Sequence, residues 1–316
     1  MIEVKNLVKD YYGNVAVDGL SFTVEEGEIV GFLGPNGAGK STTMNIITGY
    51  LSATEGQVIV NGYDVFEDPE KAKKSIGYLP EQPPLYPDMK VREYLMFVAD
   101  LKKVKKSERA SMIKSIMELT KITDVSEKLI KFLSKGYKQR VGLAAAIVGY
   151  PEILILDEPT VGLDPKQIIE IRELIKSLSK KHTILLSSHI MQEIDAVCDK
   201  IIIINKGKLI AYDTPANIAR VMENSRELHI TVCGSEMTVR RALDYVDGIK
   251  MLDVRYSDAT GMSDITIKMN EGCDVRKNVS EKLMDAKCPI IEMKLHEVSI
   301  EEIFLKLTNS NNKEDK

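Results

Sequence analysis

The stretch "GPNGAGKST", Gly34 to Thr42, sets one lysine among three glycines directly after the apolar run "IVGFL". The spacing Gly34-x-x-x-x-Gly39-Lys40-Ser41 is a complete phosphate-binding loop pattern. Glycines let the backbone curl so that several N–H groups converge on one anion. The helix start that follows adds the positive end of its dipole. In this arrangement Lys40 reaches the β- and γ-phosphates, and the Ser41 hydroxyl ligates Mg²⁺. Pro35, Asn36, Gly37, Ala38 and Thr42 complete the cradle. A buried strand before it and a helix-compatible "STTMNII" after it separate this loop from an ordinary glycine-rich turn. The chemistry is the binding of a nucleoside triphosphate.

Two further stretches extend that chemistry. In "ILILDE", 153–158, four apolar residues bury a strand and Asp157 emerges at its carboxyl end. There Asp157 can hold Mg²⁺ through water, and Glu158 is placed to polarise an attacking water. Ligands gather at the carboxyl ends of strands in a parallel sheet. In "LSKGYKQR", 133–140, Ser134 and Gly136 stand at the start of a helical run. That is a second phosphate-binding arrangement, although a serine there also serves as a plain cap.

The elements that must position these residues follow from periodicity. The first sixty or so residues read as short strands with turns at "TEG" and "NG". Residues 88–150 form a helical block, with "KKVKK" at 102–106 as a solvated helix face. From 150 strands and helices alternate, which predicts a parallel sheet covered on both faces. Asp164 caps a helix over 165–179, with Pro165 in its first turn and Gln167 reaching back. Ile168, Ile171, Leu174, Ile175 and Leu178 give that helix one apolar face. Residues 1–220 form this first domain. Residues 221–308 read as β-α-β-β-α-β, the ferredoxin-like order, ending in a helix from Ser299 with Glu302 as its capping-box partner. The polar tail, 309–316, is expected to be disordered.

Bulk properties exclude other classes. The 316 residues carry a net charge of −4, against the basic excess of a dedicated nucleic-acid binder. The four cysteines form no CxxC pair, so neither a zinc site nor a disulfide framework is expected, and the thiols suit a reducing cytosol. The N-terminus lacks the apolar core of a signal peptide. The longest apolar runs, "ILIL" and "IIII", fall far short of the roughly 20 residues that span a bilayer. The expectation is a soluble chain whose membrane part, if any, is another polypeptide.

In this order and spacing the motifs resemble the ATP-binding subunits of ABC transporters over residues 2 to about 217. Gly34–Thr42 stands as Walker A and Ile153–Glu158 as Walker B. "LSKGY" occupies the place of the LSGGQ signature, "GLD" at 162–164 that of the D-loop, and His189 that of the switch histidine. Tyr12 falls where the family stacks an aromatic on adenine, with Tyr11 as the alternative. The expected fold is the P-loop ABC fold: a mixed sheet core, an antiparallel β-subdomain, a helical subdomain, and here a ferredoxin-like accessory domain.

The resemblance implies a MgATP-driven ATPase working as a head-to-tail dimer, either a homodimer or a pair with another ABC subunit. ATP on Lys40 of one subunit would be closed over by Ser134 and Gly136 of the other. Glu158 would act as base, His189 would meet the γ-phosphate, and Asp164 would cross the interface. Two motifs depart from the family. Glu81, with Gln82 after it, replaces the Q-loop glutamine and could ligate Mg²⁺ or a water, while adding negative charge. Lys135 and Tyr137 replace Gly and Gln of the signature.

"YLPE", "LSKGY", "LDPKQ", "SSHIMQEI" and "IEEIFLKLT" are similar to type-2 exporters of the gliding-motility and multidrug or bacteriocin type. That implies a separate polytopic permease, a place at the cytoplasmic face of the membrane, and no nucleic-acid partner. "PLYPDMK", 84–90, would meet the permease through exposed Leu85 and Tyr86. The alternatives are a soluble ABC ATPase or an ATP-dependent sensor. The first is disfavoured by a single ATP-binding domain and by the short span from Lys40 to Ser134. The second is disfavoured by Glu158.

Overall fold

All five residues of the strand Ile29–Leu33 are buried, and the rest of the first unit is built around that strand. The computed structural model describes residues 1–223, 227–270 and 272–296. Its contacts divide the chain into two units, Met1–Pro215 and Ala216–Lys316. The expected helix from Ser299 and the tail lie outside the described residues.

The first unit opens with a hairpin of β1 (Ile2–Tyr11) and β2 (Asn14–Val24), longer strands than the sequence suggested. They are followed by β3 (Ile29–Leu33), α1 (Lys40–Ile47), β4 (Glu55–Val60), β5 (Tyr63–Asp64), α2 (Pro69–Lys74) and β6 (Ile76–Leu79). The antiparallel sheet β2-β1-β4-β5 packs its alternating apolar face onto the central sheet. Phe22 and Phe32 meet there with ring centroids 5.6 Å apart, beside buried Met44, Ile47 and Val58.

Residues 88–150 are helical: α3 (Val91–Leu101), α4 (Lys106–Leu119), two short 3-10 turns and α5 (Lys135–Ile147). The "KKVKK" stretch is not a helix face: residues 102–105 are the α3–α4 connection and Lys106 begins α4. Lys103 turns there with φ +57°. The Lys102 ammonium donates to the carbonyls of Ala145, Ala146 and Val148 at 3.3, 3.0 and 2.8 Å. A cation on the last carbonyls of α5 complements the helix dipole.

The remaining elements of this unit are β7 (Ile153–Leu156), α6 (Pro165–Leu178), β8 (Thr183–Ser188), α7 (Met191–Asp195), β9 (Lys200–Asn205) and β10 (Lys208–Asp213). The central sheet has the order β10-β9-β3-β8-β7-β6. Every pairing from β9 to β6 is parallel, and β10 alone is antiparallel, so the sheet is mixed. The helix α7 is shorter than "IMQEIDAVC" suggested, but it seats firmly. A Cβ at Gly31 would lie 2.3 Å from Ile194, so only glycine in β3 allows α7 this close.

A helix, α8 (Pro215–Glu223), leads into the second unit. There β11 (Glu227–Cys233), α9 (Glu236–Leu243), β12 (Ile249–Ser257), β13 (Met262–Met269), α10 (Arg276–Asp285) and β14 (Ile290–His296) follow in the ferredoxin-like order. The antiparallel sheet runs β12-β13-β11-β14. Leu228, Ile230, Val232, Ile265 and Ile267 face Val239, Leu243, Val279 and Leu283 in one core. The four cysteines are free thiols. Among the described residues no helix is long and apolar enough to cross a membrane.

His182, at the turn into β8, is buried and donates from Nδ1 to the Pro151 carbonyl. Burial lowers its pKa, and the carbonyl bond offsets this only in part. The unfolded chain therefore binds the extra proton first as pH falls past about 6.5, and stability is lost in that direction. The urea midpoint of the wild type should fall on acidification through that value. His182→Gln should flatten the fall.

Candidate functional site

Because β6, β7, β8 and β3 are parallel neighbours, their carboxyl ends share one edge of the sheet. That edge brings together Glu81 after β6, Asp157 and Glu158 after β7, His189 after β8, and the glycine loop after β3.

The loop enters α1 through Gly39, which has φ +105° as its N-cap. No side chain caps this helix and no acidic residue stands in its first turn, so its N–H donors and dipole face outward unneutralised. A Cβ at Gly39 would lie 2.5 Å from the Ala16 carbonyl oxygen of β2. At Gly207, between β9 and β10, a Cβ would meet the same oxygen at 2.9 Å. Gly207 N donates to Ala38 O at 3.0 Å and Asp18 N to Gly207 O at 2.9 Å. The phosphate loop is thus clamped between β2 and the β9–β10 turn. Neither Ala16 nor Gly207 stood out in the sequence, because both belong to ordinary strand and turn patterns.

This clamp also places Tyr12. Tyr12 and Gly13 form the tip of the β1–β2 hairpin with φ of +54° and +93°. That pair of positive values is the two-residue turn favoured by strand twist. Asp10 Oδ1 accepts from Gly13 N at 2.7 Å and fixes it. The Tyr12 ring is fully solvent-exposed, not packed in a strand. Tyr11 is half-exposed, with the Lys9 ammonium 5.2 Å over its ring.

Lys40 is only 6% exposed. Its ammonium donates to Gly34 O at 2.7 Å and Pro35 O at 3.2 Å, and lies 3.6 Å from Glu158 Oε1. The other oxygen, Glu158 Oε2, is 3.0 Å from His189 Nδ1. Lysine, glutamate and histidine therefore form one chain of contacts, and His189 keeps Nε2 for another partner. Glu158 itself has φ +48°. A non-glycine residue in that region costs about 1–3 kcal/mol and persists only when its surroundings hold it. Here Ser187 Oγ accepts from Glu158 N at 2.8 Å and donates to Asp157 Oδ1 at 2.6 Å. Ser187 is fully buried at the end of β8. A pair of serines closing an apolar strand was the signal in the sequence that such a role existed.

Beneath the site Tyr78 donates to Asn45 Oδ1 at 3.0 Å. Burial first, and the nearby Asp157 charge second, push its phenol well above the usual range, so it stays a neutral donor. Ser41 is exposed in the first turn of α1 and Thr42 is half-buried, while Thr43 Oγ1 donates to Gly39 O at 2.9 Å. Oxygen donors of this kind, one hydroxyl and a carboxylate, suit Mg²⁺, which takes few protein ligands and completes its shell with water and substrate phosphates. No group of three or more His, Cys, Asp or Glu side chains that could hold a metal occurs among the described residues. Glu81 and Gln82 are both exposed.

The signature residues stand apart, on α5. Ser134 is its N-cap and accepts from Tyr137 N at 3.4 Å. Tyr137, where the family has Gln, donates to Asp124 Oδ2 at 2.7 Å. Two glycine contacts join this helix start to the 162–167 segment. A Cβ at Gly162 would fall 2.0 Å from the Lys135 ammonium, and one at Gly136 would fall 2.7 Å from the Gln167 amide. Asp164 caps α6 by accepting from Gln167 N at 2.9 Å, as expected. The Gln167 side chain does not reach back to complete a capping box; it lies on Gly136. Arg140 is buried, ion-paired with Glu170, and donates to Thr120 O at 3.2 Å.

In 84–90, Tyr86 is half-exposed and edge-on to Phe97 with centroids 5.6 Å apart. Leu85 is partly buried rather than exposed, which corrects the sequence expectation.

A family described as "ABC transporter" matches residues 17–161. The linearmycin resistance ATP-binding protein LnrL of Bacillus subtilis is 32% identical over 315 residues, covering 98% of each chain. The bacitracin transport ATP-binding protein BcrA of Bacillus licheniformis is 40% identical over 212 residues, covering 66% of this chain and 68% of that one. A solved ATP-binding subunit of an ABC transporter has a TM-score of 0.64 at 32% identity, covering 70% of this chain and 92% of its own. A dimeric ATP-binding cassette in a post-hydrolysis state, bound to ADP and Pi, has a TM-score of 0.63 at 26% identity, covering 68% and 99%.

Gly39 and Gly37 share a left-handed backbone, but nothing lies within 4 Å of a Cβ at Gly37. Gly39→Ala should therefore lower the urea midpoint more than Gly37→Ala does, because it adds a collision with Ala16 O to strain of about 1–3 kcal/mol. Equal midpoints for the two variants would contradict the clamp.

Proposed function

This chain belongs to the ABC transporter ATP-binding proteins, and we propose that it is the ATP-hydrolysing motor subunit of an exporter with a separate membrane permease. The observation that carries the reading is the Lys40–Glu158–His189 chain of contacts at the carboxyl edge of the parallel sheet.

In this reading Gly34–Thr42 and the start of α1 wrap the triphosphate. Lys40 leaves its loop carbonyls for the β- and γ-phosphates, and the exposed Tyr12 ring stacks on adenine. Ser41 and Asp157 hold Mg²⁺, with Glu81 as a further oxygen near it. Bound Mg²⁺ supplies charge neutralisation of the phosphate oxygens. Glu158 orients and deprotonates the attacking water, and His189 presents Nε2 to the γ-phosphate. Once Lys40 turns to phosphate, the Glu158 carboxylate is left to accept from water.

Ser134 and Gly136 contribute in trans. Their helix start leans on the 162–167 segment of its own chain, and it offers N–H donors to a second copy's nucleotide. Asp164 then lies at the same interface. Closure by ATP and reopening after hydrolysis give two states with different nucleotide affinity, and that difference drives the permease. The relatives named for linearmycin resistance and bacitracin transport support export as the direction. The permease would hold the protein at the cytoplasmic face of the membrane, and the 84–90 segment with Tyr86 would meet it.

Glu158→Gln tests the reading. It should still bind ATP while hydrolysis falls by at least about 100-fold, the usual loss on removing a general base. Purified from its own host with ATP and Mg²⁺, the stalled variant should carry one polytopic membrane protein. Ribosomes, DNA-processing proteins or no membrane partner would overturn the transport assignment. In that same background, Leu85→Ala with Tyr86→Ala should strip the membrane protein from the complex.

A further inference from the structure

Glu193 is 7% exposed, yet nothing in the reaction above uses it. Its Oε2 accepts from Thr160 Oγ1 at 2.6 Å and from Ser188 Oγ at 2.9 Å. Thr160 and Ser188 are themselves 5% and 1% exposed. Ser188 Oγ also accepts from Ile190 N at 3.0 Å. Buried hydroxyls that share one buried carboxylate oxygen are costly to disturb, because each hydroxyl hydrogen would lose its acceptor.

The positions of the three residues give the cluster its meaning. Thr160 lies two residues beyond Glu158, and Ser188 immediately precedes His189. Glu193 sits on α7, whose next residue, Ile194, is fully buried over Gly31 of β3. The carboxylate is therefore fixed to the sheet core while its two hydroxyl partners flank the base and the histidine: Thr160 in the segment after β7, and Ser188 as the last residue of β8. The neighbouring tie through Ser187 fixes only the start of the first loop, at Asp157 and Glu158 N.

We infer that Glu193 is a positioning residue for hydrolysis: through Thr160 and Ser188 it holds the Glu158 and His189 loops in register, so that the Glu158 Oε2–His189 Nδ1 contact persists through the nucleotide cycle. The inference rests on Glu158 and His189 acting as proposed above. It assigns Glu193 an effect on the chemical step that is separate from nucleotide binding, since the phosphate loop is held independently by Ala16 and Gly207.

The test compares Glu193→Gln, Thr160→Val, the double variant and Glu193→Asp with wild type for kcat, KM for MgATP, nucleotide affinity and thermal midpoint. Glu193→Gln keeps the shape but replaces one acceptor oxygen by a donor. Thr160→Val keeps the shape and removes one hydroxyl, and it probes the same cluster if a Glu193 variant folds poorly. The expected result is a fall in kcat of about tenfold or more in both single variants, with KM and nucleotide affinity within about threefold. The double variant should be no worse than the weaker single, because the residues act as one unit. Glu193→Asp should recover part of the loss. Wild-type kcat in folded Thr160→Val and Glu193→Gln overturns the inference. So does a loss that appears equally in nucleotide affinity, or losses that simply add. Glu158→Gln runs alongside: if it hydrolyses ATP normally, the catalytic reading itself fails, whereas an inactive Glu158→Gln beside fully active Glu193 variants defeats this inference alone.

Discussion

Two opposite charges, Lys40 and Glu158, are held 3.6 Å apart with their side chains 6% and 9% exposed. Desolvating such a pair is expensive, and the attraction repays it only when the remaining donors and acceptors are satisfied. The surroundings meet that condition. Loop carbonyls of Gly34 and Pro35 take the ammonium, and His189 takes the second carboxylate oxygen. Removing either charge would leave the other buried without its counter-charge. In the proposed reaction a triphosphate competes for the lysine, and that competition frees the glutamate.

Holding that pair requires a firmly placed backbone, and the parallel sheet supplies it. Adjacent carboxyl ends of β7, β8 and β3 deliver Glu158, His189 and the phosphate loop to one edge. Glycines then permit contacts that any side chain would block: Gly39 and Gly207 against Ala16, Gly31 against Ile194. Just past β7, Glu158 adopts a left-handed backbone. Its cost is offset by the bond from its N–H to Ser187.

The helical segment connects to this edge in two places. Through Gly142, α5 packs closely against Pro83, just after Glu81 and Gln82. At its start, α5 leans on the 162–167 segment through Gly136 and Gln167, with buried Arg140 paired to the half-buried Glu170 behind. Departures from the family pattern have structural uses here. Tyr137 ties the signature to Asp124, and the Lys135 ammonium lies over Gly162. The second unit is a self-contained ferredoxin-like layer with its own core.

Much of this was legible in the residues alone. The phosphate loop, the strand ending in Asp157 and Glu158, the Asp164 cap and the split order of the second unit all follow from local spacing and periodicity. Those signals are local because phosphate binding, capping and strand burial are short-range requirements. The sequence did not reveal Ala16 and Gly207 as the clamp, Ser187 as the support of a strained Glu158, or the Thr160–Ser188–Glu193 cluster. It also misplaced Lys102, Leu85 and the Gln167 side chain. Each of these depends on which strands become neighbours and how closely backbones approach. A buried glutamate on a short helix reads the same as a solvated one until its two hydroxyl partners are placed, one at the end of β8 five residues back and one 33 residues away after β7. Only tertiary structure brings them there, because in this fold sheet order, not chain order, decides which polar groups must satisfy one another.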